Sequence, residues 1–119
     1  MAMRRAAEHA QGWSPFPIAE AFASRARTAS IETVADLGER IQFLWDYARS
    51  IGRRDRIEVN FVPFRWHMNS QAPLDHKAFR EQAAELAAVG VTWLSLGVPG
   101  ASRAEYVDSI ARFGAEVIA

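Results

Sequence analysis

The chain has 119 residues, half of them hydrophobic and 24% charged, and its 14 basic and 14 acidic side chains cancel. That size suits a single domain, residues 1–119, with a real core, while the balanced charge offers no basic stripe for nucleic acid or an anionic membrane, so neither is expected as a partner. The absence of cysteine excludes disulfides, thiolate catalysis and cysteine-based metal sites.

The start, Met1 to Arg5, leads into Ala6-Ala7-Glu8-His9 and not into an apolar run, so it does not read as a secretion signal. No window approaches the roughly 18 apolar residues of a membrane helix, and a cytoplasmic location is the expectation. Residues 2–11 predict a helix, because Ala2, Ala6, Ala7 and Ala10 are good helix formers and Gly12 stands where a helix would stop. The segment Gly12 to Pro17 is too short and proline-rich for a long central strand, and allows a strand of two or three residues ending at Ser14. Residues 18–29 predict an Ala/Arg-rich connection with about one helical turn.

Ser30 is the expected N-cap of a helix of about six turns, whose apolar stripe runs through Ile31, Val34, Ile41, Leu44, Trp45, Ala48 and Ile51 and which closes at Gly52. The run Ile57-Glu58-Val59-Asn60-Phe61-Val62 alternates apolar with polar residues and predicts a strand ended by Pro63. An aromatic loop, Phe64 to Pro73, follows. Asp75 caps a helix with Phe79, Ala83, Leu86 and Ala87 on one face and Gly90 just past its end. Val91 to Leu96 is nearly all apolar, as expected for a strand covered on both faces. Gly97-Val98-Pro99-Gly100 is a tight turn, and Ser102-Arg103-Ala104-Glu105 is a capping box for a last helix presenting Tyr106, Val107, Ile110, Phe113 or Gly114, and Val117. Strands alternating with one-sided amphipathic helices predict an α/β fold of right-handed βαβ units around a parallel sheet.

Such sheets and barrels place ligands at the carboxyl ends of their strands. Trp13, Ser14 and Phe16 follow the first strand, Phe64, Arg65, Trp66 and His67 the second, and Gly97, Val98 and Pro99 the third. The segment from Phe64 to Asn69 gathers a cation, an imidazole and two large rings, the mixture a flat heterocycle would use; the alternative is a loop whose aromatics pack on neighbouring elements. His9, His67 and His76 have no partner at metal-ligand spacing and read as solvated or capping residues, with no metal site expected. Gly97 to Gly100 could cradle a phosphate at a helix start, but it lacks the spacing and lysine of the phosphate-binding motifs and reads first as a plain turn. Glu58 and Asn60, on the polar side of their strand, could face a barrel interior.

Three segments in order resemble the end of the luciferase-like monooxygenase family. Arg4 to Trp13 is similar to that family's stretch of helix running into an Asp-Gly-Trp strand start, with Gln11 where aspartate is common. Gly90-Val91-Thr92-Trp93-Leu94 resembles its final barrel strand, and Tyr106 to Ala119, with Phe113-Gly114 and Val117-Ile118, its closing helix. The resemblance implies a partial (β/α)8 TIM barrel of about three consecutive parallel strand-helix units, the carboxy-terminal part of a flavin- or deazaflavin-dependent oxidoreductase. The family's cofactors are FMN and the deazaflavin coenzyme F420. On this reading Trp13, Phe16, Phe64, Trp66 and His67 line the cofactor or substrate side, no catalytic acid or base is named, and the substrate is a small molecule. The family's flavin-phosphate elements precede this segment, so the chain is expected to shape part of a pocket and to be inactive alone, with cofactor binding by the isolated chain left open. The alternative is a non-catalytic truncated-barrel module that forms homo-oligomers or docks on a partner with the missing barrel elements. A small α/β domain unrelated to barrels is the third reading.

Overall fold

The computed structural model describes residues 2–66 and 74–118. Helix α1 (Ala2–His9) leads into strand β1 (Gly12–Trp13), then come helices α2 (Glu20–Arg25) and α3 (Val34–Ser50), strand β2 (Glu58–Phe61), helix α4 (His76–Ala88), strand β3 (Trp93–Leu94) and helix α5 (Arg103–Phe113), which runs on into a π turn at Gly114–Ile118. The three strands form one sheet in the order β1-β2-β3. Both pairings are parallel, with Gly12 opposite Glu58, Trp13 opposite Val59, Asn60 opposite Trp93 and Phe61 opposite Leu94. The α/β architecture and parallel order expected from the alternation of elements are therefore present.

Strand alternation sorts these residues onto two faces. Val59 and Phe61 are fully buried and join one hydrophobic cluster with Ala6 and Ala7 of α1, Leu37, Ile41, Leu44 and Ala48 of α3, and Leu86 of α4. The opposite face, with Gly12, Ser14, Glu58, Asn60, Trp93 and Ser95, carries no buried residue. The molecule is correspondingly slab-like, 48 × 33 × 23 Å with a radius of gyration of 16.0 Å, where a compact domain of this length has about 13.5 Å.

Local chemistry fixes the helix ends. Helix α3 starts at Thr33, which takes the Asp36 amide on its hydroxyl while the Asp36 carboxylate accepts the Thr33 amide, a full capping box. The expected cap, Ser30, lies outside the helix because Ile31 is held in an antiparallel bridge to Ile18 by two backbone bonds of 2.9 and 3.0 Å. At the other end of the same segment the Arg53 guanidinium reaches the Ala6 and Ala7 carbonyls at 3.2 and 2.9 Å and closes the end of α1. Asp75 caps α4 as expected. Gly90 follows it at φ 109°, and a Cβ there would meet Ile41 at 3.0 Å, so both conformation and space require glycine.

Two expectations fail in the last third of the chain. The strand read over Val91–Leu96 is only Trp93–Leu94, and Trp93 is 65% exposed instead of covered. The Thr92 hydroxyl intrudes on the ladder, taking the Val59 amide at 2.9 Å, and helices pack on one face only. Helix α5 is capped by Ser102, but the Glu105 carboxylate reaches the Ala101 amide and not that of Ser102. Its apolar stripe is not buried: Tyr106, Val107 and Ile110 are all exposed, and the seam to α4 consists of Phe113 against Phe79 at 5.3 Å and the contacts of His76 and Arg80 with Glu116.

These differences set the expected mutational response. Leu44→Ala, at a fully buried position, should lower unfolding free energy by about 2–5 kcal/mol, whereas Ile110→Ser on the open face of α5 should change it by less than about 0.5 kcal/mol; chemical denaturation of both variants measures the contrast. Backbone hydrogen bonding from Glu32 and the Thr33 hydroxyl bond hold the Asp36 carboxyl below its ordinary 3.8. A carboxyl lowered in the folded state stabilises it above the unfolded value and loses that contribution as pH falls through the folded one. Part of the acid-induced loss of stability below about pH 4 should therefore disappear in Asp36→Asn, as read from unfolding midpoints across a pH series.

Candidate functional site

Ligands of parallel sheets collect where the strands end, and the largest cavity described here lies at the end of β1. It measures about 500 Å³ and is walled by α1, the connection from β1 to α3, and one residue of α3. Trp13 and Phe16 contribute the large rings, Ser14 and Thr28 the hydroxyls, and Arg5, Arg27 and Arg40 the charges. Trp13 is half-buried against the core, while Phe16 is 61% exposed at the rim. A volume of this order is within the usual range for small-molecule pockets, roughly 300–1,000 Å³.

The connection keeps this shape through its own hydrogen bonds. Helix α2 ends in a Schellman-type turn, with the Thr28 amide on the Ala23 carbonyl at 3.0 Å and the Arg27 amide on the Ser24 carbonyl at 3.3 Å. That turn places Arg27 at φ 52°, the only non-glycine residue in the left-handed region among the described residues.

Beside the cavity, the uncovered sheet face carries a polar ladder across all three strands. Asn60 on β2 donates through Nδ2 to the Ser14 hydroxyl at 3.1 Å and accepts at Oδ1 from the Ser95 hydroxyl at 3.1 Å. Glu58 lies on the same face, with its nearest cation, Arg56, at 3.6 Å. The two strand-borne polar residues singled out from the sequence thus sit together on the open side. Trp93 is the ladder's exposed aromatic neighbour, paired in register with Asn60.

A second cavity of about 410 Å³ lies near the carboxyl end of β3, lined by Leu74, His76, Val98, Pro99, Ser109, Arg112 and Glu116. There the Glu116 carboxylate meets His76, and the Glu116 backbone carbonyl accepts from Arg80. The Gly97–Gly100 segment has no regular structure or defined turn, and its Val98 and Pro99 line this cavity. Gly100 presses on the Tyr106 backbone, where a Cβ would lie 2.7 Å away, and the amides that open α5 are taken by Glu105 and Ser102.

Of the five pocket residues expected from the sequence, Trp13 and Phe16 share the first cavity. Phe64 and Trp66 pack elsewhere: Phe64 meets Phe61 edge-on at 5.1 Å, and Trp66, 1% exposed, meets Phe79 at 5.6 Å with the Arg65 guanidinium 5.3 Å from its ring. Trp66 is buried and Phe64 is half-buried against the core. His67 lies outside the described residues. Sequence reasoning did not single out Arg5, Arg27 or Arg40; only Arg27 lies in the Ala/Arg-rich connection of residues 18–29, and Arg5 and Arg40 are on separate helices with nothing local to link them to it. Among the described residues no group of three or more His, Asp or Glu side chains has metal-binding proximity, and no helix is long and apolar enough to cross a membrane. No family model, curated protein or solved structure matches the chain.

Solvent exposure of the open face can be tested through its tryptophan. Trp93→Phe should remove the red-shifted, readily iodide-quenched part of the emission, while Trp66→Phe should remove a protected, blue-shifted part. Unchanged quenching in Trp93→Phe would mean that this face is covered in solution.

Proposed function

We propose that this chain is the carboxy-terminal part of a luciferase-like barrel, a flavin- or deazaflavin-dependent oxidoreductase of the monooxygenase class, and that it contributes part of the pocket rim. The observation that carries the reading is the sheet: three consecutive strands, neighbours in chain order and all parallel, with the hydrophobic core on one face and a polar, uncovered face on the other. A slice of a closed barrel has this arrangement, because a barrel's helices lie outside and its strands follow one another around the ring.

The first cavity suits the kind of group the family uses, since it combines an indole and a phenyl ring with polar atoms at a strand's carboxyl end. A bound flavin or deazaflavin would supply the hydride or oxygen chemistry. This chain's part would be to position a ring system against Trp13 and Phe16 and to exclude water from one side of it. The Ser14-Asn60-Ser95 ladder would fix the polar lining of the inward face. Titration of the purified chain with FMN and with the deazaflavin, followed by fluorescence quenching, tests the reading. Saturable binding weakened by Trp13→Ala is the expected result, and no saturable binding by either compound would remove the isolated chain from that role.

A second reading, self-association as a non-catalytic module, is favoured by the same surface. Among the described residues β1 and β3 each pair on one side only, and Trp93, Tyr106, Val107 and Ile110 are exposed. Bare edges and apolar patches invite another copy. Sedimentation velocity should then show dimers or larger species that dissociate in Trp93→Glu; a monomer throughout the micromolar range would exclude this reading.

A further inference from the structure

The three arginines of the first cavity have no partner that accounts for them. Arg5, Arg27 and Arg40 come from three separate elements and face one space, yet none takes part in an ion pair or side-chain hydrogen bond among the described residues, and no acidic residue is among those lining the cavity. Arg40 lies one helical turn from Asp36 and lowers its pKa, but the Asp36 carboxylate spends its hydrogen bonds on the Glu32 and Thr33 amides. The Arg40 Nε is buried with no acceptor. A guanidinium donor withdrawn from water without an acceptor is costly, whereas Arg5 and Arg27 are exposed to solvent.

Arg27 adds a separate observation. The C′ position of a Schellman turn is normally glycine, because the left-handed conformation disfavours a Cβ. Arginine stands there at φ 52° and lines the cavity. A non-glycine residue in the left-handed region at a cavity wall is a position where function can select the side chain.

We propose that this cavity is a binding site for a ligand bearing an oxyanion, a carboxylate or phosphate, on a flat apolar body. Arg5, Arg27 and Arg40 take the anion, and Trp13 and Phe16 take the body. Planar guanidinium groups pair with both oxyanions through parallel N–H bonds, and a ring ligand has an indole and a phenyl to lie against. The proposal does not rest on the flavin reading, since any aromatic anion of this size meets the same groups.

Calorimetric titration of the full chain with naphthyl phosphate, naphthoate and neutral naphthol, and with FMN and riboflavin, tests it. Both naphthyl anions should bind and naphthol should bind at least about tenfold more weakly, with affinity falling as salt is raised. Arg27→Gly and Arg40→Met should each weaken anion binding by roughly tenfold, and Arg103→Gln, on α5, should not. Arg27→Gly suits the left-handed backbone, so its unfolding midpoint should stay level or rise and its loss of binding is not a loss of fold. Equal binding of naphthol and the anions, indifference to Arg27→Gly and Arg40→Met, or no anion binding overturns the proposal. Naphthyl anions that bind where neither flavin does uphold the anion site and remove the flavin reading. FMN and riboflavin binding alike, without response to the arginine variants, does the reverse.

Discussion

The structure depends on β2, the only strand among the described residues with a neighbour on each side. Its four residues settle two matters at once, because alternation sends Val59 and Phe61 into the core and leaves Glu58 and Asn60 on the opposite face. Parallel pairing with β1 and β3 carries the same division across the sheet, and the Thr92 hydroxyl, bonded to the Val59 amide and carbonyl, locks β3 against it. A one-residue slip would bury Glu58 and Asn60 and expose Val59 and Phe61, at a cost on the order of 1.5–3 kcal/mol for each apolar side chain alone. The register is therefore set by burial, and the polar ladder to Ser14 and Ser95 is a consequence of that register.

A sheet with its core on one side has uneven stability along the chain. Helices α1, α3 and α4 send side chains into the same cluster as β2, and Arg53 ties the end of α1 to the segment after α3. Helix α5 sends none, and its hold on the rest passes through Phe113 and the Glu116 contacts. Elements with few buried apolar contacts open more readily than core elements. The second cavity lies in that weakly held region, whereas the first is bounded by α1 and α3, both anchored in the core. A site on anchored elements can keep charged groups close without losing its geometry.

The parts of this architecture that follow from local pattern were legible. Alternation in residues 57–62, the stripe of residues 31–51, and the Asp75 and Gly90 signals each led to the correct element, because one face of each packs against the same core. Failures occurred where tertiary contact overrode a local signal. Ser30 looks like a cap until Ile31 is drawn into its bridge with Ile18, and Val91–Leu96 looks like a doubly covered strand although Trp93 in it is exposed. Trp66 illustrates the harder problem: an aromatic in a polar loop can line a pocket or fill a core, and composition does not distinguish the two. Its neighbour Phe79, on a different element, decides for the core.

The candidate site was half legible for a related reason. Its rings, Trp13 at the last position of β1 and Phe16 just beyond it, lie at a strand end, so a rule about strand ends finds them. Its charges come from α1, the turn after α2 and the second turn of α3, and only the folded chain brings them to one cavity. Arg27 is the most concealed of them, because a Schellman turn without glycine leaves no mark in a sequence read for glycines. That concealment is itself informative. Glycine would satisfy the backbone there at lower cost, and among the described residues Arg27 makes no ion pair while it lines the cavity.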